Sequence, residues 1–199
     1  MTKGAPAILL ASSSPRRHEL LARLGLPFAI AHPDIDETPL AGEDPVAYVR
    51  RLAVEKADAI EAAPDVLVIA ADTTVEVDGD ILGKPEDADD AKAMLRRLSG
   101  RTHDTHTGVA VRLDGRTVHD TVTTAVTFVR LEPSDIDWYV ATGEPLDKAG
   151  AYAVQGGAGA FVERIDGSVS NVVGLPLHLV TRLAGELGIQ LLRPPVDAP

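Results

Sequence analysis

The chain has 199 residues, a formal net charge of −11 and no cysteine. That length suits one domain, or one domain with a lobe, with a core of its own. The acidic balance excludes general affinity for nucleic acid or anionic membrane, while a free anionic nucleotide can still bind where basic groups converge; without cysteine there is neither disulfide nor thiolate chemistry. The apolar run Ala7–Ala11 is too short for a signal-peptide core and nothing approaches a membrane span, so a cytoplasmic protein is expected.

No internal repeat or low-complexity segment interrupts the chain. Ile8–Ala11 reads as a short buried strand. Pro15–Gly25 reads as a helix with Leu20, Leu21 and Leu24 on one face and Gly25 as its stop. Between them lies Ser12-Ser13-Ser14, with Ser14 a good N-cap and Pro15 suited to the first helical position. Arg16 and Arg17 fall in the first turn, where the helix dipole disfavours cations unless an anion binds between them and the loop amides. A phosphate or carboxylate site is therefore expected within the first twenty residues.

Phe28–Ala31 is a plausible second strand. The polar stretch after it brings Asp34, Asp36 and Glu37 close together, either as a metal corner or as an acidic turn. A helix is expected from Pro45 to Ala63. On it Glu55-Lys56-Ala57, taken alone, reads as a solvated face. Val66–Ala71 is a continuous apolar run suited to a strand covered on both faces, and Asp72 is expected at its end. A carboxylate where a strand of an α/β sheet stops can serve as general base or hold a divalent cation, or merely cap a turn.

Thr73–Val77, Asp78-Gly79 and Asp80–Leu82 spell a hairpin. Its register sets Val77 opposite Asp80 and Val75 opposite Leu82, which returns Lys84 to the neighbourhood of Asp72. A carboxylate and a lysine together at a strand end fit phosphoryl chemistry. Asp87 should cap a helix through Leu98. Thr107–Leu113 and Thr117–Arg130 form a second hairpin around Asp114-Gly115, and Ser134–Thr142 a short helix. In the glycine-rich segment Gly143–Gly159, Gln155 can present its amide to a nucleobase edge. Phe161–Ile165 is a strand and Leu175–Leu187 the last helix. One domain over 1–192 is expected, with a loose tail over 193–199 that holds three prolines. Strands mixed with helices, with hairpins mid-chain, argue for an α/β protein with a mixed sheet. His103 and His106 point to opposite faces of one strand, no Cys/His pattern exists, and no GxSxG elbow holds the serines. Zinc enzymes and serine hydrolases are therefore disfavoured.

Together the motifs resemble the Maf family of nucleotide pyrophosphatases. The likeness lies in LASSSPRRHELL (10–21), Asp36-Glu37, Glu55-Lys56-Ala57, AADTTV (70–75), ILGKP (81–85), LSGRTHDTHTGV (98–109), DKAGAYAVQG (147–156) and SNVVGLPL (170–177), in family order. The resemblance implies the fold shared with inosine-triphosphate pyrophosphatases, two lobes around a mixed twisted sheet with a central cleft. It implies hydrolysis of a nucleoside triphosphate to monophosphate and pyrophosphate, a divalent cation (Mg²⁺ or Mn²⁺) and a homodimer. By position Asp72 matches the family's proton acceptor. Ser12, Arg16, Arg17, Glu37, Lys56 and Lys84 match its phosphate and metal environment, with Glu37 and Asp72 sharing the ion. Arg16, Thr73 and Gln155 are similar to the dTTP/UTP branch, Thr73 and Gln155 reading the pyrimidine edge. The alternative reading is a nucleotide-sensing regulator of cell division acting through a protein partner, since the family takes its name from septum formation.

Overall fold

A computed structural model describes residues 6–192. The loose tail expected over 193–199 lies outside the described residues. The first apolar run forms β1 (Ala7–Ala11), and the serine loop leads into α1 (Pro15–Ala22). This helix stops before Gly25, whose φ of 69° lies in the left-handed region that glycine tolerates best. β2 (Ala29–Ala31) follows, then α2 (Pro45–Asp58), whose N-cap Asp44 accepts from the amides of Val46 and Ala47. α2 ends earlier than the expected Ala63. Pro64 restricts the residue before it, and the Arg112 guanidinium donates to the Ile60 carbonyl, drawing the chain out of the helix.

β3 (Val66–Val77) is one continuous strand. The sequence reading ended it at Ala71, but Asp72 lies at its middle. The polar residues there looked like a break, yet β-branched Thr73, Thr74 and Val75 keep the backbone extended. β4 (Asp80–Leu82) returns in the expected register, Val77 opposite Asp80 and Val75 opposite Leu82. α3 (Ala88–Leu98) is capped by Asp87 as expected.

The second hairpin is longer than expected. β5 (Thr102–Leu113) begins before Thr107, because residues 102–106 are all polar and give no apolar signal. It pairs with β6 (Arg116–Phe128) around Asp114-Gly115. α4 (Pro133–Ala141) leads into a glycine-rich stretch that winds through three 3₁₀ turns, and β7 (Val162–Asp166) closes the sheet. A short helix the sequence reading lacked, α5 (Val169–Val173), precedes α6 (Leu177–Glu186). No helix among the described residues is long and apolar enough to cross a membrane.

The sheet runs β2-β1-β3-β5-β6-β7, with β4 also on β3. β1 is parallel to both its neighbours, and the other pairs are antiparallel. One edge of β3 belongs to β5. The opposite edge is shared: β1 takes Val66–Ala70 and β4 takes Val75–Val77. Between them Ala71–Thr74 have no strand partner on that side among the described residues. The sheet has a gap there, with the serine loop leaving from one lip and Gly83-Lys84 from the other.

Side chains alternate along β3. On one face two apolar cores flank the gap. Leu20, Leu21, Ile69, Val109, Leu179 and Leu183 build one, under α1 and α6. Val75, Leu95, Leu98, Phe128, Tyr139 and Phe161 build the other, under α3 and α4. These are the two lobes. On the opposite face α2 packs Ala53 and Ala57 against Val68, Ala70 and Ala110. α2 can lie this close because residue 108 is glycine: a Cβ there would sit 2.3 Å from the Val49 carbonyl oxygen. Gly108→Ala is accordingly expected to cost about 1–3 kcal/mol, read as a lower urea midpoint at unchanged slope. A wild-type midpoint would mean that α2 does not press on the sheet at this point.

Candidate active site

The gap opens into a cavity of about 380 Å³. Ser12, Arg16, Arg17, Glu37, Lys56, Asp72, Thr73, Lys84 and Gln155, the nine residues that the family motifs pointed to, line it together.

Asp72 shares its face of β3 with Val68 and Ala70, facing α2, and pairs with Gly108 across to β5. Lys56 reaches it from α2, with Nζ 2.6 Å from Asp72 Oδ1 and 2.8 Å from Glu37 Oε1. Lys56 is thus no solvated helix residue; it is 5% exposed and Asp72 6%. The spacing held a signal for this. Val49, Leu52, Ala53, Lys56 and Ala57 are one buried stripe at helical period, and the lysine sits on it. Of the three acids in the turn before α2, only Glu37 enters the cavity. Asp36 instead accepts from the Thr38 amide.

Two opposed effects act on Asp72. Burial raises its pKa, while the charges of Lys56 and Arg17 pull it down without cancelling the rise. Glu37 shows the reverse balance. Burial pushes it up, but the hydrogen bond and charge of Lys56, with Lys84 and Arg17 further off, hold it below the ordinary carboxylate value. Tyr48, which the sequence reading missed, also lines the cavity. Burial, with the charges of Asp72 and Glu37, pushes its hydroxyl up to about 12. It stays protonated and donates to the Glu37 carbonyl at 2.9 Å.

The serine loop uses its hydroxyls differently from the expectation. Ser14 occupies the N-cap of α1, but its side chain makes no capping bond. Ser12 Oγ instead accepts from the Ser14 amide at 3.1 Å and faces Arg17 Nη1 at 3.5 Å. The first-turn amides of α1 are therefore left for an anion.

Arg17 is the organising cation of this wall. Its Nε donates to the Gly174 carbonyl at 2.8 Å and its Nη2 to Thr73 Oγ1 at 3.1 Å. Burial lowers its pKa, with the charges of Asp72 and Glu37 opposing. Behind it a chain of hydroxyls runs inward. Thr107 Oγ1 donates to the Asn171 carbonyl at 3.0 Å, so the Thr73–Thr107 contact at 2.9 Å carries the Thr73 proton. Thr73 thus faces the cavity as an acceptor only. Thr107, Asn171 and Gly174 were not assigned roles from sequence, although 170–177 was among the motifs.

Arg16 crosses to the other lobe and pairs with Asp147 at 3.3 Å. The adjoining Lys148, another cavity residue the sequence reading missed, binds the same carboxylate at 2.5 Å and the Glu144 carbonyl at 2.7 Å. Lys84 makes no ion pair among the described residues. Five cations thus line one cavity of an acidic protein, and only Lys56 is neutralised by two carboxylates.

The family model described as "Maf-like protein" matches residues 7–187. The chain belongs to the Maf family. A protein of Anaeromyxobacter dehalogenans strain 2CP-1 named dTTP/UTP pyrophosphatase is 56% identical over 191 residues, covering 94% of this chain and 97% of that one. Proteins of the same name from Myxococcus xanthus and Chromobacterium violaceum are 54% and 51% identical, covering 92% and 96% of this chain and 94% and 100% of theirs. Among solved structures, the Staphylococcus aureus Ham1 protein covers 92% of this chain and 98% of its own at 14% identity with a TM-score of 0.50. That likeness concerns the fold, which is the two-lobed mixed α/β fold expected from the motifs.

The balance on Asp72 gives a prediction. Lys56→Met removes the larger of the two opposing charges and leaves only Arg17 against burial and the Glu37 charge, so the Asp72 carboxyl should titrate at higher pH than in the wild type. Carboxyl carbon NMR against pH reads this directly, and an unmoved titration would show that the carboxyl does not feel Lys56. The linkage has a definite sign: an acid with a raised pKa holds its proton more tightly when folded, so stability falls as pH rises from about 4 through the folded value.

Proposed function

We propose that this protein hydrolyses nucleoside triphosphates, dTTP and UTP foremost, to the monophosphate and pyrophosphate. The observation that carries the reading is a buried carboxylate, Asp72, clamped by Lys56 in a cavity whose other walls carry four more cations. A carboxylate alone suits many hydrolases; the surrounding cations suit a polyanionic substrate. The names of the relatives supply the substrate class.

Water attacks the α-phosphorus in line with the leaving pyrophosphate. A bond forms from the water oxygen to phosphorus, the bridge to the β-phosphate breaks, and Asp72 takes the proton. Lys56 engages Oδ1, which directs Oδ2 to the water. The raised pKa makes Asp72 a stronger base than an ordinary aspartate, and the charge of Lys56 favours its ionised form. Arg16, Arg17, Lys84 and the amides of α1 hold the phosphates, and Ser12 and Thr73 keep Arg17 aimed. Gln155 reads the base. An acceptor at Thr73 suits the N3–H of uracil and thymine and opposes the unprotonated N3 of cytosine. Such pairing discriminates strongly because a wrong partner leaves polar groups unmet.

A divalent cation belongs to this reading. Among the described residues Glu37 Oε2 and Asp72 Oδ2 are free of protein partners. Mg²⁺ is commonly held by one or two carboxylates together with substrate phosphates, so this pair of hard oxygen donors fits it or Mn²⁺. When bound, the ion would neutralise charge on the phosphoryl oxygens. The protein is further read as one Maf domain over 1–192, cytoplasmic and homodimeric, with no nucleic-acid partner.

Asp72→Asn is expected to lower turnover about 10²–10⁴-fold while nucleotide binding persists. Near-wild-type turnover would remove Asp72 as the base. In the wild type, kcat/KM should fall on the acid side with a midpoint above the ordinary aspartate value of about 3.9. Pyrophosphate release across a nucleotide panel tests the substrate. Selective turnover of dTTP and UTP is expected, and turnover confined to another base would overturn the roles of Thr73 and Gln155.

A further inference from the structure

Beyond the cavity, on the same face of the sheet as Asp72, stand Glu76, Asp104 and His106. Glu76 and Asp104 are directly opposite on β3 and β5, and His106, opposite Thr74, is one side-chain step along the same face. One ligand atom from each lies within 4.8 Å of the other two. Glu76 is four residues from Asp72, roughly 13 Å along the strand, and none of the three lines the cavity described above.

Two carboxylates directly across an antiparallel pair repel one another. Elsewhere on this face the strand neutralises its acid, since Asp72 has Lys56. Here neither Glu76 nor Asp104 has a lysine or arginine within ion-pair distance among the described residues. The facing group is His106, whose Nε2 stands 3.8 Å from Glu76 Oε2. That is too long for a hydrogen bond. It is close to the separation of two ligands on one ion, roughly 3.4 Å for tetrahedral bonds of about 2.1 Å.

The histidine is the second, independent sign. It is 5% exposed, and its Nε2 makes no hydrogen bond among the described residues. Its Nδ1 meets Thr123 Oγ1 on β6 at 2.8 Å. If Nδ1–H donates to that hydroxyl, Nε2 presents its lone pair to the two acids. This is the outer-sphere arrangement that fixes the tautomer of metal-bound histidines. Glu76 is oriented too, because its Oε1 accepts from the Gly79 amide at 2.5 Å, which turns Oε2 toward His106. A depression of about 120 Å³ beside Glu76 and Asp104 gives an ion and its water a way in.

We propose that Glu76, Asp104 and His106 form a second divalent-cation site, separate from the cavity, that takes a borderline transition ion of the Zn²⁺ class. Imidazole nitrogen with carboxylate oxygen selects such an ion over Mg²⁺, which prefers oxygen alone. The bound ion ties β3 to β5 and, through Thr123, to β6, at the part of the sheet that carries the second lobe.

The test uses the full chain with millimolar Mg²⁺ present, so that oxygen-only sites are filled. Zn²⁺ is titrated in competition with a chromophoric chelator. One equivalent should bind and raise Tm by several degrees, since an ion that binds only the folded state stabilises it. His106→Gln and Glu76→Gln should each weaken Zn²⁺ at least tenfold, and Thr123→Val about tenfold, while circular dichroism and pyrophosphate release in Mg²⁺ stay as in the wild type. Co²⁺ provides a second reading: a visible band of a four- or five-coordinate ion in the wild type, absent in His106→Gln. No Zn²⁺ uptake in the presence of Mg²⁺, or uptake undiminished in the folded His106 and Glu76 variants, would overturn the proposal.

Discussion

A β-strand that loses its neighbour in mid-course must find other partners for its backbone or leave them facing a ligand. β3 is such a strand. β1 accompanies it to Ala70 and β4 joins it at Val75, and the four residues between form the floor of the cavity. Because side chains alternate, this floor sends Asp72 to one face and Thr73 to the other. One carboxylate meets the helix below the sheet, while its neighbour meets the arginine above. The serine loop and Gly83-Lys84 converge on the same place because they are the ends of the two strands that stop there.

The gap alone would leave Asp72 as a costly buried charge. Its compensation comes from α2, and α2 can supply it only by lying close on the sheet. Gly108, directly across from Asp72, permits that approach. Lys56 then arrives on the buried stripe of the helix and binds both Asp72 and Glu37. Removing one member of such a buried pair strands the other, so the residues are coupled more tightly than their sequence distance suggests. On the far side of the sheet the chain from Arg17 through Thr73 and Thr107 to the Asn171 carbonyl does a similar task with neutral groups. It fixes the direction of each proton, and so decides which hydroxyl face is offered to a ligand.

Much of the fold was legible because the turns carry strong local chemistry. Asp78-Gly79 and Asp114-Gly115 place both hairpins, and the residues at the turns adopt the positive φ values that such turns require. Asp87 starts α3 as its side chain demands. The readings that went astray share a cause. The middle of β3 and the start of β5 are polar, so periodicity of apolar residues could not show that β3 runs on through Asp72 or how early β5 begins. They are polar because the cavity, and the cluster at Glu76, Asp104 and His106, are built there. Lys56 taken alone read as solvated for a related reason, since a lysine on an apolar stripe counts as exposed unless its acidic partners are known; only the family motif placed it in the site.

From sequence alone came the element types, the anion-ready helix start, and, through the motifs taken together, the family and the set of residues that meet in one cavity. These follow from local backbone preference and from residue identity, which need no distant partner. Only the tertiary structure decided that Asp72 lies in mid-strand, that Lys56 is held between two acids, that Thr73 spends its proton inward, and that Arg16 reaches Asp147 in the other lobe. Each of these depends on groups far apart in the chain brought together by the paths of β1 and β4 beside β3. Burial and charge at a point are properties of everything around it, and no local stretch of sequence contains them.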